Sequence, residues 1–379
     1  MALKLNKIEE IEKKLRNGIF NLIQERNDFL LPQVIDFVKV KEWMNIQPEY
    51  QRRRVWDIKR KSQFIESLLM NVPIPPIFLL EWEYGRYEVM DGQQRLDAVI
   101  SFYANEYKLT GMKYWTELNG LSYNQFLPLV RRALDRRRIS ATTIMTESVV
   151  NDDDKLDLRR LVFERLNTGG MKLNSQEIRN CIYSSKFNNL IVDLSGNEMF
   201  TKAWNIPSHS DNISEGKITD KLSKNTLFRR MGDCEIVLRF FALFESKHIK
   251  GSLKTMMDGA MNRRLYITDD EIKDLQESFI NSLELTNEVF GEKMFQITDS
   301  TTGKSTQSIN FYDAITVIFH DLRSKSDEII EKKEEILELV QNLIAVPENY
   351  ENLVNRRGSS TEISAMKAFF KNEIINLLD

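Results

Sequence analysis

Apolar residues recur at helical spacing over most of the chain, and the exceptions are concentrated before residue 150. Residues 8–28 alternate charge with Ile8, Ile11, Leu15, Phe20 and Ile23, which predicts an amphipathic helix bracing the N-terminus. Between Leu31 and Phe78 stand five of the eight prolines, so elements there are short and joined by extended turns. One helix fits among them, over 59–71, with Phe64, Ile65, Leu68 and Leu69 on one face. Pro76 to Trp82 predicts a buried strand, Tyr84-Gly85 a tight turn, and Tyr87 to Met90 a returning strand that runs into Asp91. Beyond Asp91, the positions of Leu96, Val99, Ile100, Phe102 and Tyr103 have helical period. A further helix is expected over 123–137 and a β-branched strand over 139–145. Residues 155–167, and then nearly everything from Ser175 onward, read as helix, with long elements over 268–289, 326–345 and 361–378.

Composition agrees with this helix-rich pattern. Gly and Pro together make up 23 of 379 residues, about half the usual share of ~12%, so residues that interrupt helices are scarce. With 42% hydrophobic and 29% charged residues, the chain has enough apolar surface to fold. No stretch reaches the ~18 apolar residues of a membrane span, and no apolar leader is visible at the start. Cys181 and Cys234 have no C-x-x-C spacing, which excludes a disulfide framework and a thiolate zinc site and suggests a reducing, cytoplasmic setting. The expected fold is α+β: an N-terminal helix over 1–30, a small α/β domain over 31–185 and a mostly helical domain over 186–379.

The net charge of −3 hides an asymmetry. Residues 1–180 hold 29 Lys and Arg against 25 Asp and Glu, whereas residues 181–379 hold 24 against 31. The positive balance is concentrated in two runs. Residues 51–61 carry six cations and one acid around Trp56, and Arg131, Arg132, Arg136, Arg137 and Arg138 form the other. Either run is a solvated face or a phosphate contact. The acids Asp152, Asp153 and Asp154 are read as helix caps in preference to a metal cluster.

The sharpest local feature is Glu88-Val89-Met90-Asp91-Gly92-Gln93-Gln94-Arg95-Leu96, a strand entering a helix through glycine. Asp91 and Gln94 have capping-box spacing. Arg95 in the first turn, however, opposes the positive end of the helix dipole, at a cost of about 0.5 kcal/mol, and an anion would remove that conflict. Strand, glycine, free first-turn N–H groups and arginine together describe a phosphate site. Asp91 would repel the phosphate unless Mg²⁺ lay between them, so a nucleotide reading carries a metal requirement. Glu88 and Asp91 could share a metal only if the strand bends, since alternation puts them on opposite faces. A third feature runs from Phe163 through Arg165, Leu166, Asn167, Gly169 and Gly170 and is followed by a capping-box spacing from Asn174 to Glu177. His209, His248 and His320 are far apart, which argues against a zinc or HNH-type nuclease centre, and no P-loop motif occurs.

Three segments in order, Tyr50-Gln51-Arg52 with Trp56, Asp91-Gly92-Gln93-Gln94-Arg95, and Phe163-x-Arg165-Leu166-Asn167-x-Gly169-Gly170 with Glu177, resemble the N-terminal domain family of the GmrSD restriction endonucleases, of the ParB/sulfiredoxin-like superfamily. The resemblance covers about residues 30–185. It implies a nucleoside-triphosphate-binding and hydrolysing domain, or in some relatives a DNA-cutting one, within anti-phage or modification-dependent restriction. Carried over by position, Asp91, Gln93, Gln94 and Arg95 become the catalytic candidates, with Asp91 as the Mg²⁺ ligand. Gln51, Arg52, Gly92, Arg165 and Asn167 become the nucleotide-binding candidates. The alternatives are a metal-dependent DNA nicking enzyme and a non-catalytic nucleotide or DNA switch that recruits an effector nuclease. The implied partners are DNA, through 51–61 and 131–138, and a separate nuclease or effector on the helical half; self-association is left open.

Overall fold

The structure, a computed structural model, describes residues 23–46, 56–145, 158–162, 165, 174–183, 185–214, 217–300, 302–354 and 359–379. The chain divides into two compact units, 1–173 and 174–379, whereas the sequence reading placed the division after 185.

Among the described residues, the first unit is built on a five-stranded sheet. Its elements are β1 (Ile23–Leu30), α1 (Leu31–Ile35), β2 (Met44–Asn45), α2 (Ile58–Leu69), β3 (Ile77–Glu83), β4 (Arg86–Asp91), α3 (Gln93–Tyr103), α4 (Pro128–Asp135) and β5 (Arg138–Met145). The strand order is β1-β5-β3-β4-β2. β1 runs antiparallel to β5, β5 parallel to β3, β3 antiparallel to β4, and β4 parallel to β2. Ile65 and Leu68 of α2, Leu96 and Val99 of α3, and Ile77, Leu79, Val89 and Ala141 of the sheet share one core.

The helix expected over 8–28 is corrected over 23–28, which form β1; residues 8–22 lie outside the described residues. β1 is an edge strand with most of its residues exposed, and the backbone groups on its inner side pair with β5 along its full length. The expected helix over 123–137 is a short 3₁₀ turn, Tyr123–Gln125, followed by α4, whose first residue is Pro128. The acids Asp152, Asp153 and Asp154 lie outside the described residues.

Among the described residues, the second unit is mainly helical, with two short antiparallel strand pairs, Ile213–Ser214 with Lys217–Ile218 and Gln296–Thr298 with Ser305–Gln307. Its principal helices are α5 (Ser175–Ile182), α6 (Gly232–Leu243), α7 (Leu253–Arg263), α8 (Asp269–Phe290), α9 (Ile309–Asp321), α10 (Ser326–Glu331), α11 (Lys333–Ala345) and α12 (Ser360–Leu378). The element expected over 326–345 is thus two helices meeting at Lys332, whose ψ of 21° departs from the helical value. Phe240 and Phe241 of α6, Phe279 of α8, and Phe311 and Phe319 of α9 are fully buried. Within this apolar core, Arg239 of α6 donates to both carboxylate oxygens of Asp313 on α9, and both residues are buried. A buried pair of this kind fixes which helix faces meet, because either partner alone would be an uncompensated charge. Asp313→Ala is therefore expected to lower the unfolding free energy by about 3–5 kcal/mol. Replacing both residues, as Arg239→Met with Asp313→Leu, should recover most of that loss, with urea denaturation as the measurement.

Candidate functional site

The corner between β4 and α3 depends on one backbone requirement. Gly92 is the residue before α3 and has φ 101° and ψ 6°, in the left-handed region. A methyl group there would lie 2.4 Å from Cγ2 and 2.9 Å from Cβ of the fully buried Ile77. Both the conformation and the space demand glycine. The turn follows a β-bulge: Phe78 pairs with Asp91 but Leu79 with Val89, leaving Met90 as the extra residue. This correction replaces the expected capping box, because Gly92 is the cap and no side chain caps the helix. Asp91 is held in the strand register and Gln94 turns to a different partner.

Arg95 is the centre of the corner. Its Nη2 donates to Asp91 Oδ2 at 2.8 Å, and its Nη1 donates to the carbonyl oxygens of Pro75 and Pro76. Burial pulls the guanidinium's pKa below its ordinary value, and the neighbouring Asp91 carboxylate only partly offsets this. The conflict between this cation and the helix N-terminus is met by a carboxylate and two carbonyl dipoles, so the fold does not need an anion to tolerate Arg95. The Arg95 side chain is 13% exposed and that of Asp91 54%, so the carboxylate is what this corner presents to solvent.

The two glutamines brace the same turn. Gln94 Oε1 accepts the Trp56 backbone N–H at 2.8 Å and ties the entry to α2 against α3, while Gln93 Nε2 donates to the Val89 carbonyl at 2.9 Å. Gln94 Nε2 and Gln93 Oε1 are left without a hydrogen-bond partner among the described residues. The Leu96 N–H makes the first bond of the helix, to the Gly92 carbonyl, so the N–H groups of Gln93, Gln94 and Arg95 precede the ladder, as in any first turn.

Glu88 does not join Asp91. It lies opposite Leu80 in the ladder, is buried, and forms an ion pair with Arg159 from the helical residues 158–162. The strand does bend at its bulge, yet each carboxylate is engaged by its own arginine. Among the described residues, no group of three or more His, Cys, Asp or Glu side chains could hold a metal ion.

The other predicted residues are less concentrated. Gln51, Arg52 and Asn167 lie outside the described residues. Arg165 occupies an exposed helical position and is not among the contacts of the corner. In the segment 51–61, Lys61 is withdrawn into an ion pair with Asp97 at 2.7 Å, whereas Lys59 and Arg60 are exposed. In the run 131–138, Arg131 donates to the Asn124 carbonyl and Arg137 to the Leu69 carbonyl, each at 2.7 Å; Arg132, Arg136 and Arg138 are exposed. In the second unit, Asn174 and Glu177 form the expected capping box, with bonds of 2.8 and 2.7 Å. Burial pushes the Glu177 carboxyl up to about 7, against the lowering effect of the Asn174 N–H. The carbonyls of Pro75 and Pro76 are functional groups that sequence reading missed, and the only signal for them was the density of prolines before β3.

The first unit is therefore a sheet domain of the α+β class whose distinguishing feature is an Asp-Gly-Gln-Gln-Arg corner. Residues 33–184 match the family of the GmrSD restriction endonuclease N-terminal domain, and the chain carries a domain of that family. Such a domain serves the restriction of DNA. No curated protein and no solved structure matches the chain. Among the described residues, no helix is long and apolar enough to cross a membrane.

Gly92→Ala tests the corner itself. Positive φ and the contact with Ile77 together should cost about 3 kcal/mol, read as a lowered thermal midpoint of the first unit's transition, whereas Gly85→Ala, with open space around its Cβ position, should cost markedly less.

Proposed function

We propose that the Asp91–Arg95 corner binds the phosphates of a nucleoside triphosphate with Mg²⁺, and that this chain is the nucleotide-hydrolysing component of a DNA restriction system. The observation that carries this reading is the arrangement of charge at the corner. Three first-turn N–H groups stand beside a guanidinium that is fixed in place, and a carboxylate faces solvent next to them. Mg²⁺ keeps several waters and is usually held by one or two carboxylates together with substrate phosphates, so Asp91 alone is an adequate protein ligand. The ion would neutralise phosphate charge there. Contact of Asp91 with the cation would weaken its hold on Arg95 Nη2, which then turns to a phosphate oxygen while the Pro75 and Pro76 carbonyls keep the guanidinium in position. Gln94 Nε2 remains available to donate to phosphate, and Gln93 Oε1 to orient attacking water. Exposed Lys59, Arg60, Arg132, Arg136 and Arg138 supply DNA contacts. The acidic helical unit is the surface for a separate nuclease or effector in the cytoplasm.

A second reading, a binding switch without turnover, is favoured by one observation: both glutamines already brace backbone groups. The nicking reading is the least supported, because Glu88 is buried against Arg159.

The deciding experiment incubates a panel of nucleotides with the full chain and Mg²⁺, with modified or unmodified DNA, and follows phosphate release and strand cleavage together. Mg²⁺-dependent phosphate release without cleavage is expected, and Asp91→Ala should reduce it on the order of 100-fold. If no nucleotide is hydrolysed and none is bound, the reading is lost; tight binding without turnover selects the switch.

A further inference from the structure

The loop after α3 shows two adjacent large aromatic residues to solvent while burying its other apolar residues. Leu109, Met112 and Leu118 are buried in the first unit's core, whereas Tyr114 is 73% exposed and Trp115 41%. The loop is held onto α2 by specific bonds. The buried Glu66 carboxylate accepts three consecutive backbone N–H groups, those of Lys113, Tyr114 and Trp115, at 3.1, 2.7 and 2.9 Å. Ser62 Oγ accepts the Thr110 N–H at 2.9 Å. Gly111 has φ +65°, and a Cβ there would meet the Lys59 stem at 2.9 to 3.3 Å, so the lysine's aliphatic chain lies directly over the loop. Burial alone would raise the Glu66 pKa, but the three N–H bonds and Lys113 together bring it below the ordinary carboxylate value. The carboxylate is thus ionised at neutral pH and its charge is consumed internally.

Around this loop exposed cations slightly outnumber exposed acids. Lys59, Arg60, Lys108 and Lys113 are exposed and form no ion pair among the described residues, and Arg60 lies over the Trp56 ring at 4.9 Å. The acids on the same segments are Asp57, whose carboxylate caps α2, and exposed Glu106 and Glu117. On α2, Lys59 and Glu66 are seven residues apart, about 10 Å along the axis, so the lysine stem and the aromatic pair are successive stations along one helix. A fixed loop presenting aromatic rings beside cations is the physical recipe for an unpaired nucleic-acid strand, with bases stacking on the rings and phosphates meeting the cations. A duplex keeps its base faces covered and cannot use the rings in this way.

We infer that α2 and the loop 108–116 form a single-stranded DNA platform, with Tyr114 and Trp115 as stacking residues and Lys59, Arg60 and Lys113 as phosphate contacts. The inference rests on the reading of the chain as a DNA-acting protein and adds which form of DNA it holds and where. It is independent of nucleotide hydrolysis at Asp91.

The test is fluorescence anisotropy of a labelled oligothymidine and of a duplex of equal length, titrated with the full chain. Single-strand binding that weakens with salt is expected. Trp115→Ala and Tyr114→Ala should each weaken it roughly tenfold, with duplex binding changed less than about twofold and the thermal midpoint unchanged. Lys59→Gln with Lys113→Gln should flatten the salt dependence, which keeps the inference testable should an aromatic variant misfold. Undiminished single-strand binding by the Tyr114→Ala, Trp115→Ala double variant overturns the platform and leaves the restriction reading standing. Binding of neither DNA form by the wild-type chain overturns both.

Discussion

The Arg95 guanidinium ties together three segments of the first unit by hydrogen bonds. It reaches from the first turn of α3 to the last residue of β4 through Asp91, and to the approach of β3 through the carbonyls of Pro75 and Pro76. Gly92 makes this possible, since its left-handed conformation and missing side chain allow the helix to start directly over Ile77. The cation is thus the keystone of the corner and also its main chemical asset. A group that divides its hydrogen bonds between a solvent-facing carboxylate and backbone dipoles can transfer part of its hydrogen bonding to a phosphate without rebuilding the turn.

Much of this was readable in the residues. The hairpin from Ile77 to Asp91, α2 with its buried Phe64, Ile65, Leu68 and Leu69, and α3 all followed from periodicity, because each buries one face against a single core. The split between a mixed sheet unit and a helical unit followed from where the prolines and β-branched residues fall. Strand β1 was not readable: an edge strand exposed on most positions has no alternation to detect, and it is defined by backbone pairing with β5, more than a hundred residues away. The capping box at Asp91 failed for a different reason. Spacing cannot reveal a bulge that adds Met90 and passes the capping position to glycine. The same spacing at Asn174 and Glu177 did form its box, where no bulge intervenes.

Arginine count was likewise a poor guide to arginine function. Within the run 131–138, Arg131 and Arg137 satisfy carbonyl groups of the fold, and in the segment 51–61 Lys61 fastens α2 to α3 through Asp97. Among the described residues of these two segments, the exposed cations are Lys59, Arg60, Arg132, Arg136 and Arg138, and Lys59 and Arg60 stand beside aromatic residues or the loop that carries them. In the second unit, charge is used internally: the buried Arg239–Asp313 pair orients two core helices.

The central claim is that the corner from Asp91 to Arg95 receives phosphate. The most direct measurement is amide NMR of the isotopically labelled full chain, titrated with a non-hydrolysable nucleoside triphosphate in the presence and absence of Mg²⁺. The account predicts saturable shifts centred on the Gly92, Gln93, Gln94 and Arg95 amides, strengthened by Mg²⁺ and lost in Asp91→Ala. Shifts confined to other residues, or none at millimolar nucleotide, would contradict it.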